Sequence, residues 1–154
     1  MADAGFRLAV EGELEFKRAL EQIDARVKAN KAEIKALTLE YNANSGSIDT
    51  LRQKSATLMS SIEAQTAKVN GLGQKYRDAV TSLGENDKAT QRLKASYHAA
   101  QAALLSLNAE LAENEKRIAE AQDTFAGYNE KLALLDAQLA ENASKIELIA
   151  AQHE

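Results

Sequence analysis

Several residue types that fill or punctuate ordinary globular domains are missing or scarce in this chain. Its 154 residues include no cysteine, no proline and no tryptophan, and aromatic residues make up 5% of them. The lack of cysteine excludes disulfide bonds and metal sites built on thiolates. A globular core of this size usually draws on more aromatic residues, whereas the dominant residue types here, Ala, Leu, Glu, Lys and Gln, are good helix formers. The composition therefore favours a helical protein over an ordinary globule.

Long apolar runs and charge of one sign are also lacking. The formal net charge is −4, from 19 basic and 23 acidic side chains spread along the chain. Without a basic block that could neutralise a run of phosphates, no nucleic-acid partner is expected. The longest apolar stretch, 99–107, falls well short of the ~20 residues that span a bilayer. The acidic start of the chain lacks the apolar core of a secretory signal, so we expect no membrane in this segment and synthesis in the cytoplasm.

One seven-residue repeat continues from Phe16 to Ile149 without a change of phase. A strict repeat of this length keeps a narrow apolar seam turned toward partner helices, so it predicts an all-α, elongated coiled coil of long helices. Position a of the repeat comprises Leu20, Val27, Ile34, Tyr41, Ile48, Ser55, Ile62, Val69, Tyr76, Leu83, Thr90, Tyr97, Leu104, Leu111, Ile118, Phe125, Leu132, Leu139 and Ile146. Position d comprises Phe16, Ile23, Asn30, Leu37, Asn44, Leu51, Leu58, Gln65, Leu72, Ala79, Asn86, Leu93, Ala100, Leu107, Asn114, Ala121, Tyr128, Leu135, Asn142 and Ile149.

Two short segments, 42–47 and 84–87, interrupt the helical pattern. Each contains a glycine, Gly46 or Gly84, that can take the left-handed conformation in which helices often end. Breaks at both places divide the coiled-coil region, 13–154, into helices of roughly 13–43, 47–83 and 87–152.

The residues after these glycines suit the beginning of a new helix. Ser47 can cap the second helix, and Asn86 or Asp87 can cap the third. The unbroken register favours a different arrangement, because turns have no reason to preserve heptad phase. In that alternative the helix is nearly continuous over 16–149 and spans ~200 Å. We expect the two breaks, in an elongated molecule in either case.

The first residues, 1–12, follow a different pattern and form a separate N-terminal arm in our interpretation. Phe6, Leu8 and Val10 alternate with Arg7 and Ala9, a period of two that predicts a short β-strand over 6–10. A single short strand is not stable alone and would pair with another copy or another protein. The alternative is a frayed tail in which the alternation arose by chance.

Three asparagines at position d are the candidate residues for setting register and oligomeric state: Asn30, Asn114 and Asn142. A buried Asn costs stability but is satisfied only opposite a matching polar group, which selects one alignment of helices. The alternative is local softening of the seam. Many flanking e and g positions hold small residues, which widens the apolar face and suits three or more helices. We therefore expect self-association as a trimer or larger, or an intramolecular bundle.

The sequence has few residues in the patterns that carry out catalysis or bind metal ions. It has two histidines, and no His-x-x-x-His or Glu-x-x-His pair provides helical metal-ligand spacing. Packing explains the aromatic residues at position a: Tyr41, Tyr76, Tyr97 and Phe125. We predict no catalytic residue, no cofactor and no metal site, and thus a protein that is not an enzyme.

Two parts of the sequence resemble a known family. The opening, with MADAG at 1–5, LAVEGE at 8–13 and FKRAL at 16–20, is similar to the N-terminal opening of tail tape measure proteins from long-tailed phages and prophages of Gram-positive bacteria. The stretch LGENDKATQ at 83–91 is similar to a recurrent segment of the same region. The resemblance covers roughly residues 1–120.

This resemblance implies a structural role in a virus particle. Family members are long helical proteins packed inside the growing tail tube, and their length sets tail length. The resemblance implies tail tube or assembly proteins as partners, and a virion tail assembled in the bacterial cytoplasm as the location. Family members are usually several times longer, so the chain would be the N-terminal part of such a protein. The alternative is a cellular coiled-coil adaptor or scaffold protein, cytoplasmic and without catalytic activity.

Overall fold

The computed structural model describes residues 12–43 and 46–152, and nearly all of them are helical. Three helices follow one another: α1 (Glu13–Ala43), α2 (Ile48–Leu83) and α3 (Lys88–Gln152). The all-α prediction is confirmed, and no strand occurs within the described ranges. The strand predicted over 6–10 lies outside them. The chain divides into two compact units, Met1–Lys116 (unit 1) and Arg117–Glu154 (unit 2), and each is described by itself.

The connection between α1 and α2 contains a glycine with a positive φ. Gly46 has φ +76°, and its N–H donates to the Tyr41 carbonyl oxygen at 3.0 Å, which closes the end of α1. Ser47 precedes α2 as predicted for a cap, but its hydroxyl makes no capping hydrogen bond to any described residue. Its carbonyl oxygen instead accepts the first helical bond, from the Leu51 N–H at 3.3 Å. The predicted side-chain cap is therefore wrong, although Ser47 has the extended backbone of an N-cap residue.

The connection between α2 and α3 also begins at a glycine. Gly84 has φ +87°, and its N–H is shared between the carbonyl oxygens of Ala79 and Val80, at 3.2 and 3.1 Å. The sequence offers Asn86 and Asp87 as the cap of α3, and in the structure Asp87 is the cap. Its Oδ1 accepts from the Ala89 N–H at 2.8 Å. This bond satisfies one of the backbone donors that the first turn of a helix leaves unpaired.

Within unit 1, α1 and α2 pack antiparallel. The Nζ of Lys68, in the second half of α2, lies 2.6 Å from Oδ1 of Asp24, in the first half of α1. Farther along α1, Asn30 donates to the Oγ of Ser60, which comes earlier in α2, at 3.2 Å. Contacts that move forward along one helix and backward along the other define this direction.

Helix α2 is likewise antiparallel to the first part of α3. Gln65 donates to the Ala100 carbonyl oxygen at 3.0 Å, whereas Ser55, ten residues earlier, donates to Oε1 of Glu115 at 2.8 Å. All three helices meet in one buried cluster, to which each contributes one residue: Phe16, Leu72 and Ala100. The side chains of Leu20, Val69, Leu93 and Tyr97 pack against this cluster.

Burial in unit 1 follows the heptad register. All four buried residues of α1 occupy position d: Phe16, Ile23, Asn30 and Leu37. Helix α2 buries its d positions and also a second row one position before d, because it packs against both other helices. That second row consists of Thr50, Thr57, Ala64 and Gly71.

Candidate interaction surface

The first candidate residue, Asn114, lies inside unit 1 and binds α2 of the same chain. Its Nδ2 donates to the Leu51 carbonyl oxygen at 2.7 Å and to the Ser55 Oγ at 2.8 Å. Its side chain is 2% exposed, and Oδ1 has no hydrogen-bond partner within the described ranges. The Ser55 hydroxyl, which accepts from Asn114, donates in turn to Glu115. The result is a short polar network across the α2–α3 seam.

Asn30 and Gln65 form two further polar bridges, the first between α1 and α2 and the second between α2 and α3. Asn30 is buried and reaches Ser60 on α2, and Gln65 is buried and reaches the backbone of α3 at Ala100. Gln65 was visible in the sequence as a polar d residue but was not singled out as a site residue. The sequence did not indicate a role for Ser60, because this residue lies outside the a and d positions. Each bridge joins two helices of a single chain and is satisfied only when those helices have this alignment.

A close contact between α2 and α3 depends on Gly73. A β-carbon built on Gly73 would lie 2.9 Å from the Tyr97 ring, a distance that non-bonded carbon atoms do not tolerate. Tyr97 is also stacked on Tyr76, with ring centroids 6.1 Å apart. Gly73 has a low helix propensity, but its lack of a side chain makes room for an aromatic side chain of α3.

The polar groups of unit 1 do not converge on an evident site of chemistry. A groove of about 300 Å³ lies between the helices, beside the buried Ser61 hydroxyl, with apolar walls and with Lys31 and Glu110 among its lining residues. Among the residues that the structure describes, no group of three His, Cys, Asp or Glu could hold a metal ion. No helix in this part of the chain is long and apolar enough to cross a membrane.

Unit 2 presents a different surface, on which the seam residues from Phe125 onward face solvent. Every residue from Tyr128 to Gln152 is exposed, although the heptad pattern continues unchanged. We call the exposed a and d side chains of this unit the open seam: Phe125, Tyr128, Leu132, Leu135, Leu139, Ile146 and Ile149. Asn142 is the polar residue among these a and d positions, and it is exposed as well.

The open seam differs from the scattered apolar residues on the surface of unit 1. There four of the large exposed hydrophobic residues lie off the a and d positions, at Leu14, Leu39, Met59 and Leu105, and one, Leu83, lies at a. Single exposed apolar residues are normal on soluble proteins, whereas a contiguous apolar stripe marks an interaction surface. The structure therefore separates the three asparagines singled out in the sequence: Asn30 and Asn114 bind within one chain, and Asn142 lies in the open seam.

Comparisons of the chain with protein-family models, with curated proteins and with solved structures find no match.

Proposed function

We propose that this chain is a non-catalytic structural component of a phage tail, the N-terminal coiled-coil part of a tape measure protein, which acts in tail-length determination and tail assembly. The observation that carries the proposal is the open seam of unit 2. A continuous helix with an unpaired apolar stripe is suited to join an assembly, and a helix measures length at a fixed rise per residue.

The segment with the most family-like sequence has a defined structural task. Residues 83–91 span the turn between α2 and α3, with Gly84 at the end of one helix and Asp87 at the cap of the next. A recurrent segment with this content is expected wherever a chain must reverse direction between two helices. This supports the family resemblance, which otherwise rests on sequence similarity.

The reversal of the chain at these turns favours a second candidate, a cellular coiled-coil adaptor or scaffold. Helices that fold back on one another, as α1 and α2 do, add thickness rather than length, and a length-determining protein has no need of them. In the tail protein, unit 1 would serve as a compact terminal body that contacts tail tube or assembly proteins, and the measuring part would be helical sequence such as that of unit 2.

Deletion of three whole heptads from unit 2 distinguishes the two candidates. Removing 128–148 preserves the register of the remaining seam. If the chain determines length, tails carrying this deletion are shorter by about 30 Å in electron micrographs, at 1.5 Å per residue. The point variant Ala137→Lys, on the outer face of the same helix, leaves tail length unchanged and serves as the control.

The contrary result is equally clear. Tails of normal length that contain the deleted protein would contradict a role in length determination. Absence of the chain from purified tails, together with its recovery in complexes of cellular proteins, would favour the adaptor.

A further inference from the structure

We infer that the open seam binds the open seam of a second copy of this chain, with the two helices parallel and in register. This inference deepens the structural function proposed above and rests on it for its biological role. The physical argument concerns unit 2 alone, and begins with the exposed fractions of the seam side chains: 54% for Leu135, 65% for Leu139 and 67% for Ile146.

Continuity of the repeat indicates a helical partner. In unit 1 the a and d positions of α3 are buried or half-buried, and Thr90, Ala100 and Asn114 are among the buried ones. The same helix continues through unit 2 with the same repeat, and there the a and d positions from Phe125 onward are exposed, although Ile118 is still buried. A helix surrounded by water does not require a strict seven-residue pattern of apolar residues. Such a pattern, with an average spacing of 3.5 residues, is required where a neighbouring helix packs against the apolar side chains.

Asn142 decides the direction of that partner. In parallel, in-register pairing d faces d, so Asn142 meets the same residue of the second copy, and the two side-chain amides can bond to each other. In antiparallel pairing a faces d. Full overlap then places Asn142 against Leu132, which leaves the amide unpaired in an apolar layer, at a cost that specific coiled coils avoid.

The charges beside the seam agree with the parallel direction. Lys131 at g faces Asp136 at e of the partner in a parallel pair, and symmetry repeats this attractive contact on the other side. In the fully overlapped antiparallel pair, g faces g, so Lys131 of each copy approaches Lys145 of the other, which gives two repulsive contacts. The remaining acidic residues of unit 2 lie on the outer face, for example Asp123 and Glu130.

The apolar area is sufficient for a specific contact. Burial of one large apolar side chain removes about 60–120 Å² from water. Seven such side chains on each of two helices therefore bury an area near the ~1,200 Å² at the lower limit of stable protein interfaces. A second copy supplies a complementary surface without any further protein, because the same stripe is present on every chain.

Single cysteines test the direction, since the natural chain has none. In the full-length protein Ile149→Cys places the thiol at d, where parallel in-register copies bring the two sulfur atoms within disulfide reach. Under mild oxidation we expect most of this variant to form a covalent dimer. Ala151→Cys, on the outer face of the same helix, gives little cross-linking and is the matched control.

A mixed experiment reports the opposite arrangement. Tyr128→Cys and Ile146→Cys face each other only in the fully overlapped antiparallel pair. A predominant disulfide between these two variants would overturn the proposed direction, as would equal cross-linking of Ile149→Cys and Ala151→Cys.

Sedimentation equilibrium tests whether the open seam is the contact at all. Leu139→Lys places a charge in the seam, and we expect the dissociation constant of self-association to rise at least about 30-fold. Ala137→Lys adds the same charge on the outer face and changes this constant by less than about 3-fold. The inference would be overturned if the wild-type chain remained monomeric at about 100 μM, because a specific contact should have a dissociation constant below this concentration.

The outcomes separate this inference from the proposed function. Parallel cross-linking together with unchanged tail length after the heptad deletion would contradict the proposed role in tail length and support the parallel pairing. Shortened tails together with a monomeric purified chain would contradict the pairing and support the proposed role in tail length.

Discussion

At the scale of single residues, the bundle of unit 1 is defined by polar bridges and one close contact as much as by apolar burial. Asn30, Gln65 and Asn114 each occupy a d position that an apolar residue would fill more favourably, and each binds a specific atom of another helix. Such residues lower stability relative to an apolar core and in exchange allow fewer alternative alignments of the helices.

Gly73 provides the first residue-scale prediction. Gly73→Ala should lower the free energy of unfolding by about 1–2 kcal/mol, because overpacking against the Tyr97 ring outweighs the ~1 kcal/mol gained in helix propensity. Urea denaturation measures the change.

Two controls accompany this measurement. Gly127→Ala should increase helicity or leave it unchanged, because an added β-carbon there meets no described atom within 4 Å. In a Tyr97→Ala background, Gly73→Ala should become stabilising, since the clash is gone. If Gly73→Ala destabilises both backgrounds equally, the contact with Tyr97 is not the reason for the glycine.

Asn114 provides the second residue-scale prediction, and it depends on pH. Asn114→Asp should destabilise unit 1 by about 3 kcal/mol at pH 7, because a buried carboxylate would face the Leu51 carbonyl oxygen. Burial raises the pKa of the introduced carboxyl above its value in the unfolded chain. The protonated form can donate to Leu51, so the deficit relative to the wild type at the same pH should be smallest below about pH 4, the pKa of an unfolded aspartate, and should grow as pH rises through the raised pKa of the folded state.

Asn114→Leu is the matched variant for this site. It removes both the donor and the unpartnered Oδ1, and should change stability by less than about 1 kcal/mol at every pH. Equal losses for Asn114→Asp and Asn114→Leu, without pH dependence, would mean that side-chain volume at position 114 matters rather than its hydrogen bonds.

At the scale of elements, the ends of the helices were readable from sequence to the extent that local chemistry determines them. Glycine with positive φ and an aspartate at the next helix start are local signals, and the structure has Gly84 and Asp87 in those positions. The Ser47 hydroxyl was expected to cap α2 and does not, because a side-chain cap depends on a rotamer that sequence does not determine.

Asp87 provides the prediction at this scale. Asp87→Ala should destabilise unit 1 by about 1 kcal/mol, because the Ala89 N–H loses its acceptor at the start of α3. Asn86→Ala should have less than half that effect, since the cap is the neighbouring residue. Thermal denaturation followed by circular dichroism measures both variants, and a larger loss for Asn86→Ala would contradict the assignment of the cap.

At the scale of the whole molecule, the sequence predicts which positions belong to the seam but not which helix covers them. Asn114 and Asn142 both occupy d, four heptads apart, and nothing near either residue in the sequence separates them. Asn114 is 2% exposed, whereas Asn142 is exposed. A heptad repeat specifies that a helix packs there, whereas the origin of that helix depends on turn positions and helix lengths. The contact between Gly73 and Tyr97 was unpredictable for the same reason.

The central claim is that unit 1 satisfies its own seam and unit 2 requires a second copy. Hydrogen exchange of the full-length wild-type chain at two concentrations, about 1 μM and about 100 μM, tests it most directly. We predict that amides of 13–43, 48–83 and 88–116 are equally protected at both concentrations. Amides of 128–152 should be protected at the higher concentration and exchange rapidly at the lower one, because most of the stability of a helix in a protein comes from packing, which this segment lacks without a second copy. Protection of 128–152 that does not depend on concentration, or loss of protection in unit 1 on dilution, would contradict the account.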